Sequence, residues 1–582
     1  MIKVEVRKPR RLHKEKQSLF ISFPYSLHRL QLVKSLPVRY YNPDTKEWEV
    51  PARDINLVVN TFKNEKLEIK ANTKPSKQPD VTDVSDLHLK TKPFKHQVEG
   101  ILHGLRTDKF LLADEQGLGK TKQAIDIAVN RKMKEGFKHA LIVCGVNSLK
   151  WNWANEIKLH SNESVHILGT RVNTRGKVRD GSLKDRLEDL QNGRDEFFLI
   201  TNIESLRKPQ QKKRVNGKMQ DVKLSETQKT QLAIINEIEK MTKDGTIGIV
   251  IFDEIHKAKN AQSQQGKAIH HLKSPYKVAL TGTPLMNNPI DLYNILKWLD
   301  AERGSFYGFR NRYCIMGGYG GYEIVGYKNL KELQMRLDNV MLRRKKEDVL
   351  DLPPKLRQTE YVEMTAKQKQ IYTDVLRGVR ENLADIKLSP NPLAQLVRLR
   401  QATSHTGIIS DTVQESAKFD RMKEIIEELV DSNQKAIVFS NWAEVTNRAL
   451  KELQDYNPAY ITGDVKDRQA QVEKFQNDDS CKVIIGTIPA MGTGLTLTAA
   501  STVIFLDKPW NPANTVQAED RAHRIGTTGT VNVITLVCKD TIDERIEEII
   551  YEKSELSEGL VEGDDEILSK FDSGQLVDML LT

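Results

Sequence analysis

The chain has 582 residues, and its 89 Lys and Arg against 79 Asp and Glu leave a formal charge of +10; at the usual domain size that length holds about three or four domains. With 38% hydrophobic and 29% charged residues there is material for several cores, yet no run approaches the roughly 18 apolar residues that a membrane helix needs. Four widely spaced cysteines, Cys144, Cys314, Cys481 and Cys538, have no paired ligand spacing, which argues against a zinc site or a disulfide framework and for a reducing, intracellular setting.

Residues 1–69 alternate apolar and polar positions, as in SLFISF and WEVPARDINLVV, and predict a small α+β domain. Nothing in the basic start or in LFISFPYS has the apolar core of an export signal. Residues 70–87 are polar, proline-bearing and aperiodic, which reads as a linker. Over residues 88–288 five short apolar runs, FLLA, ALIVC, FFLIT, GIVIFD and KVALT, alternate with turns and amphipathic stretches, the pattern of an α/β lobe with a parallel sheet. Residues 289–417 lose the strand signal and turn helical, predicting a helical insertion. A second α/β lobe is expected over 418–555 from KAIVFS, AYIT, KVIIGT, TVIFLD and VNVITLVC, with 556–582 as a tail or brace. Within the first lobe the basic stretch 171–229, with KPQQKKRVNGK, reads first as a solvated loop and otherwise as a nuclear-localisation or DNA-contacting patch.

The chemistry begins at FLLADEQGLGKTKQA, where a buried strand runs through Gly117-Leu118-Gly119-Lys120-Thr121 into a helix. Glycines let backbone N–H groups converge on phosphate oxygens, a helix N-terminus adds partial positive charge, Lys120 suits the β and γ phosphates, and the Thr121 hydroxyl suits Mg²⁺. The strict phosphate-loop pattern asks for Gly where this chain has Asp114, so further parts are needed. GIVIFDEIHKAKN supplies them: Asp253 at a strand tip suits a Mg²⁺ contact, and Glu254 suits the base that orients an attacking water. In NTVQAEDRAHRIGT, a helix would place Gln517, Arg521 and Arg524 on one face, where two arginines could stabilise a γ-phosphate from a second lobe.

With these residues placed, Leu89 to Glu555 resembles the Swi/Snf-type members of helicase superfamily two, on PFKHQVEGI, DEQGLGKTKQA, ALIVCGVNSLKWNWANEI, DEIHKAKN, ALTGTPLMNN, LRRKKEDVLDLPPK, IVFSNW, GTGLTLTAA and LDKPWNPANTVQAEDRAHRIGT. The resemblance implies two RecA-like lobes, ATP and Mg²⁺ as cofactors, and DNA as partner, without a membrane. It implies that Gln97 reads the adenine edge while Phe94 packs on the base, and that Glu115, Gly117, Gly119, Lys120, Thr121, Gln517, Arg521 and Arg524 complete the ATP contacts. Thr281, Gly282 and Thr283 would couple nucleotide to the bound strand, as would Gly494 and Thr496. Ser148, Lys150, Asn202, Trp442 and Trp510 are strand-contact candidates, the two tryptophans equally candidates for core packing; Trp151 and Trp153 are expected in the core. Departures from the family pattern fall at Gln116, Gly145, Thr493 and Thr527, none of them a catalytic group.

FPYSLHRLQLVKSLPVRYYNPDTKEWEVPARD is similar to the HARP domain of annealing helicases. Lys34, Arg39, Tyr40, Tyr41 and Trp48 then read either as a base-stacking surface or as part of an ordinary small sheet. The expected function is a DNA-stimulated ATPase that tracks on duplex or branched DNA and remodels forks or displaces proteins. An RNA helicase and a catalytically silent scaffold are the alternatives; Thr281-Gly282-Thr283-Pro284 disfavours the first and the intact Lys120, Asp253, Glu254, Arg521 and Arg524 the second.

Overall fold

The structure is a computed structural model that describes residues 2–11, 17–36, 38–70, 84–146, 149–172, 178–215, 218–284, 288–317, 323–350, 352–381, 393–465, 467–491, 495–509, 511–524, 527 and 529–562. Ser148, Gly494, Trp510 and most of the expected linker and tail lie outside the described residues. The chain divides into two compact units, Met1–Lys345 with Leu556–Thr582, and Lys346–Glu555.

The first unit opens on a five-stranded sheet. Its strands are β1 (Ile2–Arg7), β2 (Ser18–Ser22), β3 (Tyr40–Asn42), β4 (Glu47–Pro51) and β5 (Leu67–Lys70), in the order β3-β4-β2-β1-β5. Helices α1 (Leu27–Ser35) and α2 (Ile55–Thr61) complete it, and the alternation of β1 and β2 buries Ile2, Val4, Leu19 and Ile21 against Val33, Val58 and Phe62. Trp48 packs against this core, whereas Tyr40 and Tyr41 are exposed. The piece is fastened to the rest of its unit: Arg303 donates twice to the Asp54 carboxylate, at 2.8 and 2.5 Å, and α1 packs on the helix Leu330–Asp338.

The larger sheet of the first unit contains β6 (Lys109–Leu112), β7 (His139–Cys144) and β8 (Val165–Ile167). A hairpin, β9 (Arg171–Val172) with β10 (Val178–Arg179), precedes β11 (Phe198–Asn202); a second, β12 (Lys212–Val215) with β13 (Lys218–Asp221), precedes β14 (Ile247–Asp253) and β15 (Tyr276–Leu280). A third hairpin joins β16 (Cys314–Gly317) to β17 (Glu323–Tyr327), and β18 (Met341–Leu342) ends the series. Seven of these strands form one wholly parallel sheet in the order β18-β6-β15-β14-β7-β11-β8. Every residue of β7 is buried, as a strand covered on both faces requires. The covering helices include α3 (Lys95–Arg106), α4 (Lys120–Glu135), α5 (Leu149–His160), α6 (Leu183–Gln191) and α7 (Glu226–Lys243), which bury one apolar cluster on each face.

The second unit repeats the plan with β19 (Lys355–Val362), β20 (Ala436–Ser440), β21 (Ala459–Ile461), β22 (Val483–Thr487), β23 (Thr502–Phe505) and β24 (Val531–Cys538), all parallel in the order β19-β24-β23-β20-β22-β21. All ten apolar runs read from the sequence are strands, and the α/β class with two parallel sheets stands. The reading of 289–417 as purely helical is corrected: it contains β16, β17, β18 and β19. β18 is too short for a period to show. β19 is an edge strand whose middle residues are exposed, so KLRQTEYV has no apolar alternation.

All four cysteines are buried, and desolvation pushes every thiol up, Cys314 to about 11 and Cys538 to about 12. Among the described residues no helix is long and apolar enough to cross a membrane.

Candidate nucleotide site

A parallel sheet gathers whatever follows its strands at one edge, the place where open α/β sheets bind ligands. Here β6 leads into the loop 113–119, β7 into Gly145, β14 ends at Asp253, β15 runs into Thr281, and β18 into Arg343. In the loop Gly117 and Gly119 have φ of 88° and 74°, values that side chains rarely adopt, and Gly119 is the N-cap of α4. A Cβ on Gly119 would also run into the Gln97 amide. Lys120, first residue of α4, donates to the backbone oxygens of Asp114 at 2.6 Å and Glu115 at 3.1 Å, with Thr121 half-buried beside it.

Gln97 is fixed at both ends, accepting the Phe94 N–H at 3.0 Å and donating to the Leu118 oxygen at 3.3 Å. His96 reaches the same oxygen at 3.0 Å, and its ring stacks with that of Phe94, which is 51% exposed. Gln97 is therefore tied directly to the glycine loop, and Phe94 through Gln97 and His96.

At the tip of β14 Asp253 accepts the Trp153 indole N–H at 2.8 Å. Desolvation, then the neighbouring Glu254, push its carboxyl up to about 7, against the pull of Trp153 and Lys120. Glu254 has a φ of 52°, an uncommon conformation for a residue with a side chain. Its Oε2 lies 3.2 Å from His256 Nδ1, which is 3.0 Å from Thr281 Oγ1, and that hydroxyl accepts the Thr283 N–H at 3.1 Å. Glu254 is thus linked through His256 to the Thr-Gly-Thr segment. Gly282 faces the glycine loop, where a Cβ would lie 3.0 Å from Gln116 Cγ and 3.5 Å from Lys120 Nζ. Gly145 donates its N–H to the Asp253 oxygen at 2.9 Å, a bond that a proline cannot make.

Two arginines escaped the sequence reading. Arg344 forks onto the wholly buried Asp114, Nε to Oδ1 at 3.0 Å and Nη2 to Oδ2 at 2.5 Å, and also reaches Gln123 and the His96 oxygen. Arg343 donates to the Ala113 and Gly282 oxygens at 3.2 and 3.3 Å. The signal was the departure itself: a carboxylate at a buried strand end needs a cation.

The strand-contact candidates are mostly engaged within the protein. Lys150 is 1% exposed and bound to the Asp180 carboxylate at 2.8 Å. Asn202 is buried among Arg186, Glu204 and Ser205. Thr281 is wholly buried, and Trp442 lies with Arg400 5.1 Å from its ring centre. Trp153 is in the core, but Trp151 is 41% exposed, contrary to expectation. Helix α5 buries Leu149, Trp153 and Ile157 on an i, i+4, i+8 stripe, and Trp151 falls off it.

In the second unit Gln517 lies on the helix Pro512–Glu519, but Arg521 and Arg524 lie beyond its end, so the single helical face is corrected. At the helix end Glu519 pairs with Lys355 and Arg357, and Asp520 with Lys346. The turn still brings the arginines together: Arg521 Nη1 and Arg524 Nη1 both donate to the Leu495 oxygen, at 3.2 and 3.4 Å, and Arg524 reaches Thr496 Oγ1 at 2.9 Å. Gln517 is buried, and its Nε2 has no hydrogen-bond partner among the described residues.

Two parallel α/β sheets, with a glycine loop and an acid pair at the strand ends of the first, are the architecture in which the family match falls. The chain belongs to the SNF2-related domain family, which matches residues 76–408; the helicase conserved C-terminal domain matches residues 417–526. It is 30% identical over 496 residues to an uncharacterized ATP-dependent helicase of Mycoplasma pneumoniae, covering 83% of this chain and 44% of that protein. It is 29% identical over 556 residues to the SWI/SNF-related matrix-associated actin-dependent regulator of chromatin subfamily A-like protein 1 homolog of Caenorhabditis elegans, covering 91% and 73%. A DNA annealing helicase and endonuclease of Mus musculus is 28% identical over 497 residues, 82% of this chain and 41% of that one. The chain thus spans less than half the length of two of these three relatives.

Proposed function

We propose that the chain hydrolyses ATP and uses the hydrolysis to translocate on duplex or branched DNA. The observation that carries the reading is that Lys120, at the left-handed glycine loop that caps α4, lies against Gly282 and acts electrostatically on Asp253 at the tip of β14. That loop and helix N-terminus receive the phosphates, Gln97 and Phe94 the adenine, and Glu254 orients the attacking water. Thr121 and Asp253 fit a divalent cation such as Mg²⁺, because a cation beside the buried Asp253 carboxyl would oppose the desolvation that pushes it up. Bound there, the cation would neutralise phosphate charge. Arg521 and Arg524 stabilise the charge that builds during phosphoryl transfer. The names of two of the relatives support DNA over RNA as the track, and the resemblance of residues 23–54 to a HARP domain is the ground for proposing forked DNA as the loading substrate.

The test is steady-state ATP turnover by the full chain without nucleic acid and with single-stranded, duplex and forked DNA and RNA of equal length, at one salt concentration because phosphate contacts make affinity salt-dependent. Duplex or forked DNA is expected to stimulate most. Equal stimulation by RNA would favour the RNA helicase reading, and turnover no higher than that of Lys120→Ala the silent scaffold.

A further inference from the structure

The chain passes from the first unit to the second between Lys345 and Lys346, and the residues on either side are each gripped by buried charge. On the first side Arg344 holds Asp114 at the root of the glycine loop, Gln123 on α4, and the backbone of His96 next to Gln97. Arg343 adds the oxygens of Ala113 and Gly282. On the second side Lys346 Nζ lies 2.8 Å from the Asp520 carboxylate and donates to the His523 oxygen at 2.8 Å, with the two side chains 7% and 4% exposed. Asp520 and His523 flank Arg521, and Arg524 follows directly.

We infer that Arg344 and Lys346 are positioning residues at the two ends of a short tie that passes the state of the glycine loop to the turn carrying Arg521 and Arg524. The inference rests on the ATPase reading above. Two residues of chain span at most about 7 Å, so a segment fixed at both ends has little slack. The two anchors differ in kind. A guanidinium fork on a carboxylate fixes orientation as well as distance, whereas an ammonium shared by a carboxylate and a carbonyl fixes position alone. A displacement of Asp114 on nucleotide binding is therefore carried by Arg344 into the backbone, and delivered through Lys346 to the 520–523 turn. Such a tie has physical content only if both ends bias a common change.

Loosening the tie without touching either anchor is the test. In the full chain a Gly-Gly insertion between Lys345 and Lys346 is assayed for binding of a fluorescent ATP analogue and for ATP turnover with and without duplex DNA. Affinity is expected to stay within about twofold of wild type while DNA-stimulated kcat falls about tenfold or more, because a small misplacement of a catalytic group from afar can cost about 10²-fold in rate. Unchanged kcat overturns the inference. Should the insertion fail to fold, two substitutions decide the matter. Arg344→Lys keeps the charge but not the fork and is expected to raise KM; Lys346→Met is expected to lower kcat with affinity unchanged. A merely structural role would lower Tm in both variants and leave KM and kcat of the folded protein as they were, which also overturns the inference. Wild-type protein runs alongside: no turnover there withdraws the ATPase reading and the tie together, whereas wild-type turnover that the changes leave intact withdraws the tie alone.

Discussion

Asp253 pays in stability for its position. Its carboxyl is pushed up to about 7 from an unfolded value of about 3.9, so the folded chain holds the proton over a pH range in which the unfolded chain has lost it. The sign follows from linkage: the folded state gains from the protonated carboxyl below about pH 4, and that gain is lost as pH rises to about 7. Asp253→Asn should therefore match wild-type Tm near pH 4 and exceed it at pH 8 in chelator-treated, nucleotide-free buffer. A gap that narrows as pH rises would refute the assignment. Removal of either arginine of the second unit tests the other end of the chemistry. Arg521→Ala or Arg524→Ala should cut kcat by about 10³-fold with a far smaller change in ATP affinity, and lysine should rescue poorly; turnover and analogue binding measured on the same preparation decide it. At this scale the strand, glycine turn and helix start around Lys120 and Thr121, and the strand tip at Asp253, were legible because local spacing alone specifies them. Arg344 was not, since its partner Asp114 lies 230 residues away and no local period connects them.

The elements read well wherever burial on both faces forces a continuous apolar run, as in β7 and β14, whose residues are buried almost end to end. They read badly where burial is one-sided or charge decides. β19 is paired along one edge only, and the helix before Arg521 ends where Glu519 and Asp520 are held by Lys355, Arg357 and Lys346. The junction after β7 is a place where an element tolerates no side chain: a Cβ at Gly145 would lie 2.8 Å from the Glu254 oxygen and 2.9 Å from that of Asp253. Gly145→Val should cost about 1–3 kcal/mol of stability through overpacking, and the displaced acid pair should lower turnover of the protein that remains folded. Denaturant unfolding and ATPase rates measured together check both parts; a variant with wild-type kcat would show that the strand end is not strictly positioned.

On the scale of the molecule, the front piece is more than a sheet on a tether. Asp54 is held by Arg303, with side chains 6% and 25% exposed, and α1 packs on Leu330–Asp338. The linker composition legible in 70–87 gave no sign of this docking, because the contact is made by residues far apart in sequence. Arg303→Ala should cost about 2 kcal/mol, less than a fully buried pair because the guanidinium keeps some water. Faster amide exchange in α1 and in the helix Leu330–Asp338 is the expected readout, and unchanged exchange in both would show that the pair does not hold the piece. Deleting residues 1–69 should lower Tm, keep basal turnover and remove the preference for forked over plain duplex DNA; equal loss on both substrates would make the piece purely structural.

The four buried cysteines have a practical consequence. A thiol that is both enclosed and held far from ionisation reacts slowly with alkylating reagents, and Cys144, Cys314, Cys481 and Cys538 all meet that description. The natural chain is in effect already a cysteine-light scaffold for spectroscopy. One new cysteine at an exposed position of each unit, for example at Leu159 and at Tyr551, which are 57% and 64% exposed, should take up a dye pair without removing any native thiol. The separation of the two units could then be followed, molecule by molecule, through a cycle of nucleotide binding and release.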